Sequence, residues 1–194
     1  MKKSYVVLIV VVVIALIALI LFGWVKGTYN GMVSVEEEAT TALANVQSAY
    51  QRRADLIPNL VQTVKGYASH EKETLEGVVN ARSKATSITL NADNIKEYQQ
   101  AQGELSSALG RLIAIGEAYP DLKANENFRE LQVQLEGTEN RINVERNNFN
   151  KAVQAYNVSI RQFPSNLLAG IFGFEKMDKF EAVAGSENAP KVEF

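Results

Sequence analysis

From Tyr5 to Val25 the chain reads YVVLIVVVVIALIALILFGWV, with no charge and no polar face. A helix on a soluble core keeps one side polar, so this run needs an apolar solvent all round. A helix of roughly 20 residues, rising ~1.5 Å each, spans a hydrocarbon layer of ~30 Å. A cleaved signal peptide has a shorter apolar stretch and small residues at its exit, whereas this run leaves through GWVKGTY. The reading is a retained transmembrane helix over residues 5–26, with Phe22, Trp24 and Tyr29 at the interface, where aromatic rings collect. Lys2 and Lys3 precede the run, and after Lys26 the next charges are Glu36, Glu37 and Glu38. Lysine favours the cytoplasmic side, so residues 1–4 are expected in the cytoplasm and the rest beyond the cell membrane, in the periplasm where an outer membrane exists.

Gly23, Gly27 and Gly31 repeat at the spacing that lets two membrane helices approach closely. Only Gly23 lies inside the apolar run, so a flexible joint is preferred, with helix association as the second reading.

The remaining sequence has the length of one soluble domain. Formal net charge is −2, from 20 basic and 22 acidic residues. Two of the bases stand ahead of the apolar run, so the domain itself is mildly acidic. Nucleic acid needs a basic stripe against its phosphates, and no such stripe follows Lys3. Cysteine is absent, which removes disulfides, thiol catalysis and thiolate metal sites.

Apolar residues at Val35, Ala39, Leu43, Val46, Tyr50, Ile57, Leu60, Val64 and Tyr67 follow steps of three and four, the period of one helical face. Pro58 removes one hydrogen bond from that helix and is expected to kink it. A boundary falls at Gly66 to Ser69, with Ser69 as the cap of a second helix through Leu75, Val78, Val79, Arg82 and Ala85. TLNADN is a turn cluster. A third helix runs from about Ile95 to the stop at Pro120, and a fourth from near Asn125 to Pro164, nearly heptadic, with Thr138 in a gap of the stripe. The expected fold is all-α: an antiparallel bundle of about four long helices over residues 27–164, with a short apolar helix and tail over 165–194. That short helix carries Leu167, Leu168, Ile171 and Phe172. It lacks the basic face of a membrane-surface helix and is read as capping its own bundle.

Chemistry is scarce. His70 is the single histidine, whereas zinc takes three or four His, Cys or carboxylate ligands. Ser69 beside it has neither a nucleophile elbow nor a glycine-rich oxyanion loop. Glu36 to Glu38 are explained by the helix dipole. No phosphate-cradling glycine loop occurs. No catalytic residue, cofactor, metal site or small-molecule substrate is expected. Arg53 is the anomaly, because it occupies a stripe position where an unpaired charge is costly. Its candidate partners are Glu117, Asp121, Glu136 and Glu139. Arg53, Asp55, Asn59 and Glu139 are read as a polar core layer fixing helix register; a recognition groove beside Pro58 is the alternative.

The segments QRRADLIPNLVQTVKGYASHEKETLEGVVNAR, EAYPDLKANENFRELQVQLEGTENRI and FPSNLLAGIFGF, with YNGMV at the membrane exit, together resemble the LemA family. The resemblance covers Tyr29 to Phe194 and implies a bacterial membrane protein with one N-terminal helix and a helical-bundle domain. It brings no catalytic residues and no cofactor. Ala54 stands where the family pattern leads us to expect a larger residue, a difference read as lying at the surface. Val192 and Phe194, with a free carboxylate, have the shape of a C-terminal contact for strand addition in a PDZ groove; docking on the chain's own bundle is preferred.

The reading is a membrane-anchored, non-enzymatic protein of the cell envelope that works by contact, assembling with itself as a scaffold. The alternative is an adaptor or regulator of another envelope protein, such as a membrane protease or sensor kinase. A carboxylate-metal enzyme ranks last.

Overall fold

The computed structural model describes residues 2–181; Val192 and Phe194 lie outside them. Six helices and no strand occur among these residues: α1 (Lys2–Tyr67), α2 (Lys72–Ser87), α3 (Ile95–Ala118), α4 (Pro120–Ala124), α5 (Glu126–Arg161) and α6 (Ser165–Phe172). Contacts divide the described residues into two compact units, residues 2–40 with 152–177 and residues 41–151 with 178–181. Both α1 and α5 contribute to each.

In the first unit α1 is unbroken through Gly23, Gly27 and Gly31, and a Cβ on any of them would meet nothing within 4 Å. The joint expected there is a continuous helix instead, because the i to i−4 bonds need only backbone and glycine merely weakens them. Side chains from Tyr5 to Phe22 are exposed around the whole helix. Further along, Met32 packs with Tyr156 and Ile160 of α5 and with Leu168 and Ala169 of α6. Pro164 stands at the cap position of α6, and no side-chain bond caps that helix. Gly173 closes α6 at φ 78°, the left-handed region that glycine enters freely. An extended segment then lies along α5: the Tyr156 hydroxyl donates to the Glu175 carbonyl at 2.8 Å, and the Asn157 amide both donates to and accepts from the backbone of Met177.

The second unit is the bundle. Long helices joined by short turns run antiparallel, and α1, α2, α3 and α5 share one core that includes Ile57, Leu60, Val64, Val78, Leu105, Leu112, Phe128 and Leu135. Val46, Arg53 and Leu60 recur every seven residues on α1, flanked by Tyr50, Ile57 and Val64, and all are buried. Tyr67 and Val79, expected on the stripes, are instead exposed. The first turn follows Tyr67, and α2 begins only at Lys72, after Glu71, without a side-chain cap; Ser69 is not the cap. In the TLNADN turn, Asn91 and Asn94 exchange side-chain to backbone bonds of 2.9–3.0 Å, the asparagine geometry that stands in for a backbone turn. Pro120 stops α3 as expected, yet its fixed φ suits a first helical position, and the short α4 starts on it. Asn125 then accepts from the Phe128 amide at 2.9 Å and opens α5. Gly116 is required where α3 meets this start, because a Cβ would lie 2.7 Å from the buried Phe128 ring.

Residues 178–181 belong to this unit. Asn150 of α5 donates to and accepts from the backbone of Phe180, both at 2.9 Å. Gln99 of α3 does the same for Glu181. The Phe180 ring is buried edge-on against Phe149, with the Arg146 guanidinium over it.

Candidate functional site

Arg53 is 3% exposed in the middle of the second unit. One terminal nitrogen donates to Ser106 Oγ at 2.9 Å and to Glu139 Oε2 at 2.8 Å; the other donates to the side-chain and backbone oxygens of Gln102. The guanidinium also sits 5.1 Å from the centre of the Tyr50 ring, close enough for a cation–π attraction. Its Nε has no hydrogen-bond partner. Helix α1 thus supplies the cation, α3 two neutral acceptors and α5 the carboxylate. Glu139 is the partner among the four considered, and its side chain is 48% exposed, so the pair runs from the core to the surface.

Asp55 and Asn59 are exposed and stand outside this layer. Asp55 accepts instead from Gln51, one turn back on α1. The reason is angular: they lie about 200° and 240° round the helix from Arg53 at 3.6 residues per turn. Gln102 and Ser106 take their places in the layer. Gln102 had a legible signal, since it falls among Tyr98, Ala101 and Leu105 on the buried face of α3.

Beside the arginine, Tyr50 and Tyr98 meet edge to face at 5.2 Å. Burial raises both phenols above their ordinary pKa, and Tyr98, with Tyr50 adding to the effect, is pushed up to about 12.

Pro58 sets up a second contact between helices. Pro58 has no N–H, so the carbonyl of Ala54 loses the donor it would have in a regular helix. Arg82 of α2 fills that vacancy, its Nε donating to the Ala54 oxygen at 2.8 Å. Ala54 is buried, which corrects its reading as a surface position: the small side chain stands where a neighbouring helix reaches the backbone.

A groove of about 710 Å³ opens between α3 and α5 next to the Arg53–Glu139 pair, lined in part by Leu109, Ile113, Arg129, Val133 and Glu136. Val133 is 68% exposed within it. His70 is exposed, and among the described residues no three His, Asp or Glu side chains converge where a metal ion would sit.

In the first unit, Phe22 and Trp24 are exposed on α1, and Tyr29 packs edge-on against Phe172 at 4.9 Å and Phe174 at 5.7 Å. Among the described residues, α1 is the helix long and apolar enough to cross a membrane.

The LemA family model matches residues 42–194, a span that starts beyond the apolar run. Magnetosome protein MamQ of Magnetospirillum gryphiswaldense is 30% identical over 174 residues, covering 78% of this chain and 64% of that protein. Magnetosome protein MamQ 2 of Paramagnetospirillum magneticum is 26% identical over 175 residues, 79% of this chain and 64% of that protein. Protein LemA of Metamycoplasma hominis is 27% identical over 143 residues, 74% of this chain and again 64% of the relative. The chain therefore spans less than two thirds of the length of the relatives it matches.

Proposed function

Because this chain belongs to the LemA family, we propose that it is a non-enzymatic bundle protein of the bacterial cell envelope, held in the inner membrane by residues 5–26 and working through contacts between copies of its own domain. In this reading residues 1–4 are cytoplasmic, residues 27–164 form the bundle beyond the membrane, and residues 165–194 are its closing segment. The anchor is supported by the exposed apolar girth of α1, which water cannot solvate cheaply. The gathered polar groups support a structural role, since Arg53 is tied to Ser106, Glu139 and Gln102.

The observation that carries the contact reading is the α3–α5 groove. Its lining combines Leu109, Ile113 and Val133 with Arg129 and Glu136, the mixture of apolar and charged side chains from which contact surfaces are built. A second copy is its occupant here. Native mass spectrometry of the detergent-extracted full chain tests this: a discrete homo-oligomer that Val133→Arg dissolves is the expected result. A monomer isolated in fixed ratio with a different protein would replace assembly with the adaptor reading, and turnover of any substrate would end the non-enzymatic one.

A further inference from the structure

Helix α6 is sorted into two faces. Leu168 and Ala169 are buried against Met32, Tyr156 and Ile160, while Leu167 and Ile171 point away, 58% and 74% exposed. Phe163, in the turn leading into α6, is 82% exposed and adds an aromatic ring to the apolar residues left uncovered in this segment. Three such large side chains on so short a piece need a cover.

The same unit ties this segment to α1. Phe172, one residue beyond Ile171, packs edge-on against Tyr29 of α1 at 4.9 Å. Tyr29 lies four residues past Val25, the last residue of the apolar run, or about 6 Å along the helix. A bilayer of ~40–45 Å with a ~30 Å hydrocarbon core has a headgroup layer about 5–7 Å deep on each side. The Tyr29–Phe172 contact therefore holds the Phe172 end of α6 at headgroup level, beside the helix that enters the lipid. We propose that α6 is a second membrane contact: it lies in the outer interface with Phe163, Leu167 and Ile171 in lipid, and Leu168 and Ala169 on the protein. This rests on the anchor reading of residues 5–26.

The chemistry of the contact follows from the residues on α6. SNLLAGIF has no charge, so the attraction is apolar burial, without the lysine and arginine face that draws helices to anionic lipid. Zwitterionic bilayers should hold it as well as anionic ones, and salt should not release it.

The test is a single-tryptophan reporter in the full chain, reconstituted in phosphatidylcholine vesicles. Trp24→Phe removes the only native tryptophan, and Ile171→Trp or Leu167→Trp places one on the outward face, where exposure leaves room for it. The expected result is blue-shifted emission, most of it lost to lipids brominated near the headgroup, little lost to aqueous iodide, and no change in high salt. Emission quenched by iodide and untouched by bromolipid at both positions overturns the proposal. So does shielding from both quenchers, which would mean that another protein surface, such as a second copy, covers the face. The unmodified chain is the control for the anchor. If Trp24 is quenched by bromolipid and the α6 reporters are not, only the α6 contact falls; if Trp24 is not quenched either, the anchor falls with it.

Discussion

The two ends of α1 are parts of one helix built to opposite specifications. From Tyr5 to Phe22 every direction is apolar and exposed, whereas from Val46 to Val64 a single face is buried and a charge sits in the middle of it. The first end carries no charge, and in the bilayer of the proposed anchor a charge would find nothing to pair with. The second accepts Arg53 because α3 and α5 deliver oxygen atoms to it. What decides where an ion can stand is the supply of partners, more than the local hydrophobicity.

The sharpest way to break this contrast is to move the charge. Ile14→Arg places a guanidinium in the middle of the apolar run and is expected to cost about 2.5–3.5 kcal/mol of membrane insertion, read as a shift of the chain from the membrane fraction to the soluble or degraded one. Next, Glu139→Ala leaves Arg53 in place without its anion. A charge-assisted bond is worth about 1.5–3 kcal/mol, and the half-exposed Glu139 puts the loss toward the lower end, measurable by urea unfolding. Arg53→Met removes the charge together with its demand and should cost less than Glu139→Ala, though Gln102 then loses a partner. If both variants unfold like the parent, the layer contributes nothing to stability.

A finer test concerns the carbonyl that Pro58 leaves free. Arg82→Leu should destabilise by about 1–2 kcal/mol, the penalty of an unmet backbone acceptor. In a Pro58→Ala background the helix supplies its own N–H, and the same substitution should cost measurably less; equal losses in the two backgrounds would deny the coupling. The smallest effect is alkaline. Tyr98 has a pKa of about 12 in the folded chain against an ordinary value of 10.0. A raised folded pKa means that the unfolded chain gives up its proton first, so this stability is intact below pH 10 and drains away as pH rises toward 12. Tyr98→Phe should flatten melting temperature against pH over that interval, with a residual slope from Tyr50, whose pKa is also raised.

Much of this was readable in the residues themselves. The apolar run and the stripes of three and four carry the helices, because burial on a helix repeats with the backbone's own period. Arg53 was conspicuous for standing on a stripe, and Glu139 was one of four acids considered for it. Asp55 and Asn59 are near Arg53 in sequence but not in space, because the helix turns them away from it. The Arg82 to Ala54 bond was within reach, since Pro58 always frees the carbonyl four residues back, but which donor arrives depends on how α2 packs. The grips on Phe180 and Glu181 were not readable at all. They join residues 30 and 82 positions apart through asparagine and glutamine side chains that no period distinguishes from solvent-facing ones.

Those grips have a consequence for how the chain can change. Asn150 and Gln99 each hold one residue by its amide hydrogen and its carbonyl oxygen, atoms that nearly every amino acid possesses. The Glu181 side chain adds only a long, exposed pair with Lys96 at 3.6 Å, so position 181 can be respelled with almost any letter, while at 180 only the buried ring restricts the choice. Proline alone, lacking the amide hydrogen, is forbidden at both, so this stretch is free to drift in composition while its path along the helices stays the same.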